Sequence, residues 1–159
     1  MNVTDGRYVY MRAPVAPGNG PLNEYTLMPV HMRAMASPGE LWGAELVEGF
    51  SFIKGCPVLK FPSSGMGNPW SHGTLLFDLE TDPGQKNPIH DDALEMRMAT
   101  RLVDLMRAND APTEQFERLG LPATGDIGPE HLLVAAMQAG ADEAKLAELE
   151  HQLQFMSQG

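Results

Sequence analysis

The 159-residue sequence predicts an α+β fold, a small antiparallel sheet covered by a long amphipathic helix and followed by a C-terminal helical hairpin. Three observations predict it. Short apolar runs punctuated by proline and glycine crowd the chain before residue 90, which is the pattern of short strands and loops. From Asp91 onward the period becomes helical, with Leu94, Met98, Leu102 and Leu105 at spacings of four, four and three. Between the two regimes stands Thr74 to Ile89, an apolar run from Leu75 to Leu79 closed by Asp82-Pro83-Gly84. That run is too short for a free-standing helix and reads as a strand. In its turn Asp82 supplies a side-chain acceptor, Pro83 fixes φ, and Gly84 is the residue expected to take φ > 0.

In chain order, Tyr8 to Met11 follow an Asp5-Gly6 turn as a first strand, broken by the Pro14–Pro21 stretch. A second extended piece runs from about Glu24 to Met32 with Tyr25, Leu27 and Val30 as its inward residues, and Pro29 confines it to an edge or bulge. Ser37-Pro38-Gly39-Glu40 reads as a helix start with a capping box, the helix ending near Glu48-Gly49. Phe50–Ile53 and Val58–Phe61 are short strand candidates flanking Lys54-Gly55-Cys56-Pro57, and Pro62 to Gly73 is a long loop holding Trp70 and His72. Tyr8–Met11 and Leu75–Leu79 are the expected central strands. Asp91 or Asp92 caps the helix that runs to about Asn109, with Val103 and Met106 widening its stripe. Thr113–Glu117 opens another short helix that ends at Gly120. Thr124–Gly128 reads as a linker and Pro129–Ala139 as a helix closed by Gly140. In a last helix Leu146, Leu149 and Leu153 form a narrow stripe, fitted to a hairpin seam or an oligomer contact. The expected division is residues 1–122 and a helical extension over residues 123–159.

Net charge of −10 argues against nucleic-acid and anionic-membrane partners. The sequence has no run of ~18 apolar residues to span a membrane. Its N-terminus is too polar for a signal peptide. One cysteine allows no internal disulfide framework, which fits a cytoplasmic setting.

Phe77-Asp78-Leu79-Glu80-Thr81-Asp82-Pro83-Gly84-Gln85 resembles the LYDLETDPGE run near the C-terminus of sulfatases, in the alkaline-phosphatase-like superfamily. Phe77 stands where Tyr is usual, and Gln85 where Glu is usual. Arg7-Tyr8-Val9-Tyr10 resembles the RYKYI strand upstream of that run. The resemblance covers about residues 5–121. It implies the C-terminal subdomain of a sulfuric or phosphonate ester hydrolase, part of an enzyme using metal-assisted hydrolysis and a formylglycine nucleophile. It also implies a divalent metal in the whole enzyme, none in this chain, and a missing N-terminal catalytic domain as partner.

Sulfatases carry the nucleophile in a C-x-P-x-R pattern. At Cys56 the proline comes one residue on, as Pro57, and Lys60 holds the fourth place, so the pattern fails and Cys56 reads as a packing residue. His90, Asp91 and Asp92 are ligand types, but a helix start already uses Asp91 and Asp92 as cap and dipole partners, so no metal site is assigned. His31, Lys54, Lys60 and His72 remain as substrate-rim candidates, because an anionic ester needs cations nearby and they lie in a Pro- and Gly-rich region. Two functions follow. One is the sulfatase-like C-terminal part, inactive alone; the other is a self-standing acidic binding or homo-oligomerising module.

Overall fold

The computed structural model describes residues 1–31, 34–63 and 67–138. In chain order it forms β1 (Asn2–Thr4), β2 (Tyr8–Met11), β3 (Asn23–Thr26), β4 (Glu45–Val47), β5 (Val58–Pro62), β6 (Leu75–Asp78), α1 (Asp92–Ala108) and α2 (Thr113–Leu119). Short 3-10 turns occupy Ser51–Ile53, Pro69–His72 and Pro129–His131. This is the expected α+β fold, with two three-stranded antiparallel sheets. The chain divides into two units. The first takes Met1–Ala13, Pro69–Leu102 and, of the described residues, 126–138; the second takes Pro14–Asn68 and Val103–Gly125.

In the first unit the strand order is β1-β2-β6, with β2 central as expected and β6, also expected to be central, at the edge because β2 is its one strand neighbour among the described residues. Register places Val3, Tyr10 and Leu76 in one cross-strand row, and all three are buried. Side chains alternate across a strand, so this row defines one face. α1 covers it, the Tyr10 hydroxyl donating to Glu95 of the helix at 3.0 Å. Asp91 caps the helix, its Oδ1 accepting from Leu94 N at 2.9 Å. Leu94, Met98, Ala99 and Leu102 are buried below it. Each large apolar side chain removed from water here stabilises the fold by about 1.5–3 kcal/mol. Leu105, expected in the stripe, is instead 48% exposed. The buried arc drifts toward Ala99, Val103 and Met106 along the helix and leaves Leu105 on its margin. β1 falls in a stretch that reads only as polar, because its single inward residue, Val3, is too little for a period to register.

The turn after β6 is built by Asp82, whose Oδ2 accepts from Lys86 N and Asn87 N, each at 2.7 Å. Gln85, with φ 51°, takes the left-handed position expected of Gly84. Pro129–Ala139 is not one helix. After the 3-10 turn Leu132 is extended, and a new helical stretch starts over 134–138. The second arm of the expected hairpin, with Leu146, Leu149 and Leu153, lies outside the described residues.

In the second unit the order is β3-β5-β4, which leaves β3 an edge strand. α2 ends at Gly120 in the left-handed region, whose N–H bonds back to Glu117 O and Phe116 O. Arg107 donates to the carbonyls of Pro122, Ala123 and Gly125 and so ties the segment after α2. Two expected elements differ. The capping box forms, with Ser37 N donating to Glu40 Oε2 at 2.7 Å and Glu40 N to Ser37 Oγ at 3.3 Å, yet only turns follow. A helix of one or two turns needs a buried face, and Trp42 is 85% exposed; Gly43, at φ 78°, then turns the chain into β4. Phe50–Ile53 is likewise no strand, because Lys54 (φ 58°) and Gly55 (φ 69°) close Ser51–Ile53 into a 3-10 turn. β3 stops at Thr26, so of its expected inward residues Tyr25 is half-buried while Leu27 and Val30 are exposed.

Candidate functional site

The two runs that resemble sulfatases meet in the first unit. β2 and β6 pair with Tyr8 opposite Asp78, Val9 opposite Phe77 and Tyr10 opposite Leu76. Arg7 fastens the pair with a two-point grip on Asp78, Nε to Oδ1 at 3.0 Å and Nη2 to Oδ2 at 2.7 Å, and reaches Glu80 at 2.7 Å. Asp78 also accepts from Glu80 N, which starts the turn. The Arg7 hydrogen bonds hold the Asp78 carboxyl below its ordinary range despite partial burial. Asp5 is lowered too, chiefly by accepting from Tyr8 N, and Arg97 donates to it at 3.3 Å.

Deeper in the same unit lies a polar cluster that is not among the expected site residues. Arg12, Tyr10 and Glu95 are all buried. Arg12 Nη1 donates to Tyr10 Oη at 2.9 Å and to the His131 carbonyl at 2.6 Å, and it stands 3.8 Å from Glu95 Oε1. Glu95 also accepts from Leu133 N at 2.8 Å and Val134 N at 3.1 Å, so its carboxylate caps the stretch 134–138 from 38 residues away. Burial, opposed by Arg12, drives the Tyr10 phenol pKa upward. A glutamate at a core-facing helical position was the available clue, and the helical period of its apolar neighbours concealed it.

The expected rim residues are divided between the two units. His31 is exposed and shares a 2.7 Å hydrogen bond with Glu40, whose carboxyl is lowered to about 2 by accepting from Ser37 and His31. Lys54 is exposed at the left-handed cap of Ser51–Ile53. Lys60, on β5, lies 3.5 Å from both Glu45 and Glu114. Those three belong to the second unit; His72, exposed at the end of Pro69–His72, belongs to the first. Glu114 gathers Asn23, Tyr25 and Lys60. Burial opposes its charge, but those donors outweigh it and keep the carboxyl below its usual range. Burial first, then the bond to Glu114, raises the Tyr25 phenol. Cys56, expected to pack, is exposed, because the left-handed pair Lys54-Gly55 carries it outward. Among the described residues no three His, Cys, Asp or Glu side chains group as a metal site.

A pH dependence follows from these shifts. Asp5, Glu40, Asp78, Asp110 and Glu114 all have folded pKa values below their ordinary ones. Their contribution is therefore present above the ordinary carboxylate pKa of about 4 and is lost as pH falls through the depressed values. Thermal melts are expected to be flat from about pH 5 to 7 and to weaken below about pH 4. Asp78→Asn should flatten part of that fall; an unchanged acid slope would contradict the role given to the Arg7–Asp78 pair.

No protein-family model, no curated protein and no solved structure matches this chain.

Proposed function

We propose that the chain is the C-terminal subdomain of a sulfatase-like sulfuric or phosphonate ester hydrolase, inactive alone and docked on the catalytic portion that carries the nucleophile and the metal ligands. The observation that best supports this is the β2–β6 pair. Two runs that separately resemble the sulfatase pattern are joined by a bidentate ion pair spanning 71 positions, from Arg7 to Asp78, and lead through the Asp82 turn into α1. Bond chemistry would belong to the catalytic portion, which would carry the divalent metal and the formylglycine nucleophile. Residues of this chain contribute folding and a rim. Lys54, exposed on its turn, is well fitted to meet an anionic ester, whereas carboxylates hold Lys60 and Glu40 holds His31.

The purified chain is expected to hydrolyse neither aryl sulfates nor phosphonate monoesters above a buffer blank, with or without divalent metal. Turnover that disappears in Cys56→Ala would overturn that expectation. The coding DNA upstream separates this function from a self-standing acidic binding module. An in-frame segment with C-x-P-x-R and paired aspartates supports the hydrolase; a promoter with stop codons supports the module.

A further inference from the structure

The two faces of the second sheet differ. Asn23, Tyr25 and Lys60 on one face all converge on Glu114 of α2, so that face carries the helix. On the opposite face Phe61 is buried, while the next row by register, Thr26–Leu59–Leu46, opens toward water: Leu59 is half-buried and Leu46 71% exposed. Beyond Thr26 the chain continues through Leu27 and Met28, exposed at 59% and 61%, to Val30, which bridges Met35. Before β4 stands Trp42, 85% exposed, the most exposed large apolar side chain among the described residues. Scattered apolar exposure is ordinary, but Leu46, Leu27 and Met28 fall at the same end of one sheet, where Thr26 and Leu46 both oppose Leu59.

The charge around it selects the partner. By strand alternation Glu24 and, one residue past β4, Glu48 fall on this face, and Glu40 stands in the turns before β4; all three are exposed, whereas Glu45 lies with Lys60 on the opposite face. Two copies of such a surface would bring carboxylates together in a chain already at −10, which disfavours self-association. We propose that the Leu46 face and the adjoining Leu27–Met28 turn dock a protein surface with an apolar centre and a Lys/Arg rim. The identity of that partner as the catalytic portion rests on the function proposed above; the chemistry of the surface does not.

A photo-crosslinking amino acid encoded at Leu46, with Lys86 on the first unit's turn as control, tests this in the source cells using the whole chain. The expected result is a crosslink from position 46 to peptides that combine apolar residues with Lys or Arg. Its yield should fall about threefold or more in Glu48→Lys, the scale of an exposed ion pair, and fall likewise at high salt. Glu48 is exposed, so an unchanged melt in that variant separates lost docking from lost folding. Crosslinks between two copies of the chain, none from position 46, or partner peptides without basic residues would overturn the proposal. A basic-rimmed partner that is no C-x-P-x-R hydrolase leaves the docking surface standing and removes the hydrolase function. Such a hydrolase captured from position 86 and not from 46 does the reverse.

Discussion

Glu95→Ala is expected to cost about 3–5 kcal/mol, the scale of removing one partner from a buried charge cluster. Three donors lose their acceptor at once: the Tyr10 hydroxyl and the Leu133 and Val134 amides. Arg12, itself buried, loses the carboxylate 3.8 Å away. Because Glu95 links α1 to the segment after Pro129–His131, loosening should appear there first, as faster amide exchange around residues 131–138. Glu95→Gln retains an acceptor oxygen and should cost less than the alanine variant. If the two variants melt alike, the carboxylate oxygens are not what holds that segment.

Leu102→Ala is expected to cost ~2–5 kcal/mol, through lost transfer free energy and the cavity left behind. Leu102 is 3% exposed, whereas Arg101 beside it is exposed, and its alanine variant should shift stability by less than about 0.5 kcal/mol. A domain has only about 5–15 kcal/mol in total, so the contrast is large. Urea melts with equal midpoints for Leu102→Ala and Arg101→Ala would contradict helix-on-sheet packing.

What the sequence displayed was local regularity long enough to repeat. α1 was legible because Leu94, Met98 and Leu102 recur over more than two turns, and Asp91 is the capping residue type placed just before them. β2 and β6 were legible because each is a short β-rich or apolar run bounded by turn residues. The misleading signals were local ones that tertiary packing overrode. The capping box at Ser37 is real as hydrogen bonds, but with Trp42 in water no buried face extends it into a helix. Phe50–Ile53 has strand-forming residues, yet the left-handed Lys54-Gly55 pair folds it into a turn. The Arg12–Tyr10–Glu95 cluster was illegible for another reason. Its members are 85 positions apart between Tyr10 and Glu95, and the core-facing position of Glu95 does not by itself name its partners. Of the rim residues, only their residue types were legible; that Lys60 would be held by Glu45 and Glu114 depends on strand register.

The most direct test of the sulfatase-like assignment is mass spectrometry of the native material recovered with an antibody to α1. The account predicts peptides bearing a C-x-P-x-R pattern, either on the same polypeptide or on a chain recovered with it. Abundant peptides from this sequence, with none bearing that pattern, would contradict it.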